Sequence, residues 1–365
     1  MNKIILSSAI LATMAANAHA APDAAYAGAI TATNIGVIHH AISVAAMGAF
    51  DHPIRHVGIV PQRPAPGPAP QTQHEDYRKM YGTMPIYGTM PLYGEYGDDG
   101  TVFTTGRSGG DTPTQLNTWT LGQYMSDREN FKHFDKTDNK YALIMAGISG
   151  NRIKLATGDM MIGAFGGYVG GDTDNHSTKQ DTNGGYLGAY ATYSANRLHI
   201  AATATIGKMF NDISKPYGDD YDNTWFGVTA DANYDLYIDP TFTIQPGLRI
   251  AYTSASTDNF TTIGDTGVKT KDMALFELTP VLRAIKHIAD GWVLNLDSKY
   301  VMRHNSGGNV YASGQKLSHL SVKNYAEYGI GLEKMFGTLN IGGQIIRHDI
   351  GRDGWGAMIN IKYAF

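Results

Sequence analysis

The last twelve residues, GWGAMINIKYAF, alternate without a break. Trp355, Ala357, Ile359, Ile361, Tyr363 and Phe365 point one way, and Gly356, Met358, Asn360, Lys362 and Ala364 the other. Side chains on a strand point to opposite faces in turn, so period two specifies a β-strand with one apolar face. The pattern recurs. In TFTIQPGLRIAY, Phe242, Ile244, Pro246, Leu248, Ile250 and Tyr252 oppose Thr243, Gln245, Gly247 and Arg249. In WVLNLDSKYVMRH, Trp292, Leu294, Leu296, Tyr300 and Met302 oppose Asn295, Asp297, Lys299 and Arg303. LHIAATATIG and TLNIGGQIIRH repeat it, with Leu198, Ile200, Ile206, Leu339, Ile341 and Ile345 against His199, Thr203, Thr205, Asn340, Gln344 and His348.

Between about Leu116 and Phe365 twelve such segments can be counted. They lie near 116–127, 139–149, 160–170, 184–194, 197–209, 224–237, 241–254, 273–285, 291–303, 323–334, 338–348 and 354–365. A water-soluble sandwich also alternates. Two details favour lipid instead. Aromatic residues (Trp292 and Tyr300, Phe242 and Tyr252, Trp355 and Tyr363) stand near the ends of the apolar faces, as interfacial girdles require. The opposite faces carry Arg249, Glu277, Arg283, Asp297, Lys299, Glu327 and Lys362, which suit a wet or ion-paired lumen and are costly in a dry core. The expected fold is therefore all-β, an antiparallel transmembrane barrel of twelve strands, closed so that no backbone edge meets lipid. Connections at one end are short, as at Ala195-Asn196 and Phe336-Gly337. At the other end three long polar loops are expected, over Asn211–Asn223, Ser256–Lys271 and Asn305–Ser321.

The start of the chain fits export. MNKIILSSAILATMAANAHA has a Lys3 n-region, a short apolar core and the small-x-small end Ala18-His19-Ala20, so residues 1–20 read as a signal peptide cleaved after Ala20. With no Cys, the exported chain has no disulfide scaffold, and its net charge of -4 gives no electrostatic footprint for nucleic acid. Residues 21–60 are Ala-rich, and Ile35, Ile38 and Ile42 predict a short helix near 34–49 behind an Asn34 cap. Residues 61–115 hold the extended linker PQRPAPGPAP and the tandem phrase YGTMPIYGTMPL, and the barrel occupies 116–365.

The strand spacing, the Gly/aromatic texture of GGYLGAYATYSANRLHIAATATIGKMFND and the terminal GWGAMINIKYAF resemble the autotransporter β-domain, the translocator of type V secretion. The resemblance implies a non-enzymatic barrel in the cell outer membrane that anchors, and translocates or displays, an N-terminal passenger. It implies outer-membrane lipid, the barrel assembly machinery and periplasmic chaperones as partners, a monomer, and no cofactor or metal. It marks Phe365, Tyr363, Ile361 and Ile359 as the membrane-assembly signal. It also leads one to expect a pore-threading helix just before the first strand. There the tandem phrase stands, and Pro85 and Pro91 disfavour helix, so extended chain displaying Tyr81, Tyr87 and Tyr93 is expected instead. No Asn-Asn pair precedes the barrel to support self-cleavage.

Two other functions compete. One is a pore with a plug-like N-terminal segment. The other is a lipid hydrolase using His304 and Ser306, a His-x-Ser pair that Gly307 and Gly308 follow where such hydrolases carry Asn; a loop is the expected reading. Ser108 in GRSGG lacks the strand and helix of a nucleophile turn. His39, His40, His52, His56 and His74 are expected as scattered solvent-facing residues, since nothing around them builds a metal scaffold.

Overall fold

The computed structural model describes residues 27–48, 95–96, 102–103, 116–131, 136–150, 152–175, 178–215, 219–262 and 266–364. The signal peptide, the proline tract, the tandem phrase, Ser108, His52, His56, His74 and Phe365 lie outside them. Residues 52–113 form a separate compact unit, described only as a ladder pairing Glu95–Tyr96 with Val102–Phe103.

Twelve long strands build the wall: β1 (Asn117–Glu129), β2 (Thr137–Ser149), β3 (Gly158–Asp174), β4 (Lys179–Ala195), β5 (Leu198–Lys215) and β6 (Asp219–Tyr234). They continue as β7 (Phe242–Thr257), β8 (Met273–His287), β9 (Trp292–Gly307), β10 (Tyr325–Phe336), β11 (Leu339–Ile350) and β12 (Arg352–Ala364). Each pairs antiparallel with the next, and β12 pairs back onto β1 from Arg352↔Glu129 to Ala364↔Asn117, so the sheet is closed. All twelve segments read from the alternation are strands.

The register puts the two faces where the alternation placed them. Ile359, Leu248, Ile206 and Ile345 are exposed on the outside with Trp355, Tyr252, Tyr300 and Tyr363, while Thr205, Gln245, Arg249 and Lys299 are buried inside. Outward exposure on this scale suits contact with hydrocarbon, and the closed ladder satisfies the backbone that lipid cannot.

The even-numbered strands start at one end, here the loop end, and the odd-numbered strands and the barrel sequence itself start at the other, the turn end. At the turn end β4–β5 and β10–β11 are joined by two residues each, with positive φ at Asn196 (51°) and Gly337 (61°). Asn tolerates that region and Gly adopts it freely. In the β6–β7 turn, Thr241 donates from its hydroxyl and its backbone N–H to Asp239 Oδ1, both at 2.7 Å, which holds the carboxyl below its ordinary value.

The loop end differs from expectation. Asn211–Asn223 is mostly strand, because β5 and β6 keep pairing through Asn211↔Tyr221 to Ile213↔Asp219. The other two expected loops together form a small sheet of Phe260–Thr262, Thr266–Thr270, Asn309–Ala312 and Gln315–His319, joined by Val268↔Ala312. Polar composition suggested loops, but Val268, Val310 and Phe260 find buried contacts that make strand pairing favourable.

One helix, α1 (Ala27–Gly48), lies inside the wall. It starts earlier than expected, and Asn34 sits in its interior rather than capping it. At 22 residues it is about 33 Å long, close to the hydrocarbon thickness of a bilayer. It carries no Asp, Glu, Lys or Arg, yet it is too polar to cross lipid as a helix.

Candidate functional site: the helix-filled lumen

An α-helix normally shows one apolar stripe, and one that is buried all round must be enclosed by protein or lipid. The described side chains of α1 are buried apart from a half-buried Val44, including Thr31, Thr33, Asn34, His39, His40 and Ser43. A buried polar group needs a partner, and the inward face of the wall supplies them.

The contacts run in sequence down the lumen. Thr31 Oγ1 lies 2.8 Å from Tyr221 Oη and accepts from Gln180 Nε2 at 2.6 Å. The Asn34 amide donates to Tyr141 Oη at 2.6 Å and to Asn139 Oδ1 at 3.2 Å. His39 Nδ1 is 2.8 Å from Thr253 Oγ1, and His40 Nδ1 is 3.2 Å from Glu277 Oε2. Ser43 Oγ lies 2.9 Å from Thr229 Oγ1. Strand β6 serves as a ruler: Thr31 meets it at Tyr221, near its loop-end start, and Ser43 meets it at Thr229, farther toward the turn end. The helix therefore runs from the loop end at Ala27 to the turn end at Gly48.

Shape fixes the same seating. A Cβ on Gly36 of α1 would fall 2.2 Å from Leu275 Cδ2, and a Cβ on Gly227 of β6 would fall 2.4 Å from His39 Nε2. Each glycine leaves the space that the opposing side chain fills, so helix and wall interlock in both directions.

The inward charges pair rather than line an open channel. Arg249 meets Asp231 at 2.8 Å and Arg283 meets Asp297 at 2.7 Å. Arg303 meets Glu129 at 2.7 Å, Lys299 holds Glu327, and Arg352 holds Asp127. The Tyr325 ring lies under the Arg303 guanidinium at 4.8 Å. Of the wet and the ion-paired lumen that the sequence left open, the geometry shows the ion-paired one.

The sequence-derived candidates scatter differently. His304 and Ser306 share the outer face of β9, opposite Phe276 and Ala274 of β8, and point away from the lumen. His39 and His40 correct the expectation of solvent exposure: both are buried and hydrogen-bonded, because the segment that carries them is enclosed. Ile359, Ile361 and Tyr363 lie on the outer face of β12. The pore-threading element is α1, well upstream of the tandem phrase. Asn34 and Ser43 were missed as lumen contacts. Their signal was a helix-length stretch with polar residues all round and no formal charge.

The closed twelve-strand wall can be compared with known proteins. The chain matches the autotransporter beta-domain over residues 118–349. It belongs to the autotransporter β-domain family. Three autotransporter barrels share the fold. The β-domain of the Bordetella autotransporter BrkA matches at TM-score 0.56 and 13% identity, over 68% of this chain and 99% of that one. The transport unit of AIDA-I from Escherichia coli matches at 0.57 and 17%, over 70% and 91%. The translocator domain of NalP from Neisseria meningitidis matches at 0.57 and 13%, over 68% and 88%. No curated protein sequence matches the chain. As a member of this family the protein is an outer-membrane barrel of type V secretion, an anchor and translocator for a passenger.

Proposed function

We propose that this autotransporter barrel displays the six residues, 21–26, that precede Ala27 once the signal peptide is cleaved after Ala20, and retains α1 in its lumen as a plug. The observation that carries this reading is the direction of the helix. Its N-terminal end is at the loop end, which in outer-membrane barrels faces outward, and its C-terminal end is at the turn end, which faces the periplasm. α1 thus ends, and β1 begins, at the turn end, and in this reading residues 49–116 stay in the periplasm rather than forming a displayed passenger. The proline tract and the tandem YGTMP phrase belong to that connection.

Insertion proceeds, in the same reading, as a monomer delivered by periplasmic chaperones to the barrel assembly machinery. That machinery reads the outward row Ile359, Ile361 and Tyr363 and the terminal Phe365. The apolar row on β12 and its position at the closing seam support this role.

The chain has no Cys, so single substitutions report topology cleanly. With a membrane-impermeant maleimide on intact cells, Ser313→Cys in the loop-end sheet and Ala24→Cys are expected to label. Ala65→Cys in the proline tract is expected to label only after the outer membrane is opened. Labelling of Ala65→Cys on intact cells overturns the proposed topology.

A further inference from the structure

The small sheet at the loop end has one face that packing explains and one that it does not. Phe260 stacks on Tyr221 of β6 at 4.9 Å between centroids, and Tyr221 in turn meets Thr31 of α1. Val268 and Val310 belong to the same buried apolar cluster as Ala27 and Ile30. This face is therefore turned to the barrel and to the first turns of the helix. Alternate residues of the same strands point the other way, out from the loop end.

On that far face three lysines surround one tyrosine. Tyr311 has Lys269 directly opposite on one neighbouring strand and Lys316 on the other. Two strand spacings, about 10 Å, separate these two lysines. The Lys271 ammonium stands over the Tyr311 ring, 5.9 Å from its centroid, and the Lys271 backbone N–H donates to Asn309 O at 3.0 Å. All three lysines are exposed and Tyr311 is half-buried. Among the described residues none of the three is in an ion pair. The acidic residues nearby stand at the margins of the sheet. Asp258 is tied to the wall, its backbone N–H donating to Asp222 O at 2.9 Å, Asp272 leads into β8, and Asp265 lies outside the described residues. On the outer wall at the same end, Asp172, Asp181, Asp212 and Asp220 form one cross-strand row. The lysine face is thus a local positive surface on a chain of net charge -4.

We propose that this face of the loop-end sheet binds an acidic polysaccharide at the cell surface. Lys269, Lys271 and Lys316 meet its sulfate or carboxylate groups, and Tyr311 and Asn309 between them serve its hydroxyls. Three features select this class of partner. The cations are spread over a flat sheet, which suits a repeating polyanion more than a single phosphate. A lone tyrosine offers no succession of rings on which the bases of single-stranded nucleic acid stack. The face lies opposite the one packed on the end of α1, so it looks out of the membrane and not along it to the surrounding lipid. The assignment rests on the reading that the loop end faces outward.

The test is fluorescence anisotropy of a labelled heparin hexasaccharide with the full-length protein in neutral detergent micelles, each variant first showing its folded band on SDS gels. The wild type is expected to bind at low salt and to lose affinity steeply as salt is raised, because exposed charges are screened. Lys269→Gln, Lys271→Gln and Lys316→Gln are each expected to weaken binding roughly fivefold, and the triple variant to abolish it. Lys154→Gln, at the turn end, is expected to bind as the wild type does. No binding by the wild type, or binding that survives the triple change, overturns the proposal. Equal or tighter binding of single-stranded DNA or of polyglutamate overturns the polysaccharide assignment. Maleimide labelling of Ser313→Cys on intact cells separates the two levels. A Ser313→Cys that stays unlabelled overturns the outward reading and the cell-surface partner with it, even where heparin binds in micelles. A labelled Ser313→Cys without heparin binding overturns the binding face alone.

Discussion

Asn34 donates its side-chain amide to Tyr141 Oη at 2.6 Å, tying the interior of α1 to a residue one-third of the way along β2. Both side chains are buried, and Asn139 and Thr173 complete the network at 3.2 and 3.3 Å. Asn34→Leu removes the donor, while Tyr141, Thr173 and Asn139 stay bonded to one another, so the seating of the helix loses the bonds across to the wall, about 0.5–1.5 kcal/mol. Bilayer recordings of this variant are expected to show more frequent opening, with the barrel still resistant to denaturation by SDS in the cold. Wild-type closure would show that the network is not a determinant of seating.

Gly227→Leu tests the shape of the seat. The new side chain would occupy the space of the His39 ring, 2.4 Å from where its Cβ would stand. The wall strand is held by ladders on both sides, so the helix is the part that gives way. The expected result is a persistently conducting pore with normal amounts in the membrane. Gly267→Leu, in the loop-end sheet with nothing within 4 Å of its Cβ, is expected to behave as wild type in the same recordings.

The seam carries its own ion pair. Arg352 of β12 is 1% exposed and holds Asp127 of β1 across the first-to-last strand junction. Arg352→Met removes the cation and strands a buried carboxylate, which typically costs about 3–5 kcal/mol. The temperature at which the folded band converts to the unfolded band on SDS gels is expected to fall. The double change Arg352→Met with Asp127→Leu is expected to recover much of the loss, because it buries no unpaired charge. No recovery would assign the loss to packing instead.

Depth on the outer face supplies a further measurement. Ile359, 56% exposed, stands in the middle of β12 facing outward. Ile359→Lys places an ammonium near the bilayer midplane, at about 2–4 kcal/mol. Asn360→Lys points inward at the next position and escapes that cost. Outer-membrane levels of the first variant are expected to drop well below those of the second. Equal levels would argue that this row of β12 does not face lipid.

Much of the wall was legible because period-two alternation is a local signal. TFTIQPGLRIAY states which of its residues face out and which face in, and the register of β7 against β6 and β8 agrees. The loop end was harder. Asn211–Asn223 carries the composition of a loop and the pairing of a strand, and pairing depends on the neighbour rather than on the segment. The lumen site was hardest of all. The polarity of Thr31, Asn34, His39 and Ser43 is unremarkable until twelve strands supply a partner for each. His40 looked like an exposed histidine because its hydrogen-bond partner, Glu277, lies on a strand far along the chain.

Each of the other eleven neighbouring strand pairs in the wall joins strands adjacent in the chain, and β12 against β1 is the exception. Contacts between distant parts of a chain form late, after their loop-closure entropy has been met. Closure of the wall therefore depends on its last segment, and the polar side chains of α1, which lies before the wall strands in the chain, have partners only in the interior that this closure makes. Loss of the β12–β1 seam would cost the helix its seat as well as the wall its last ladder.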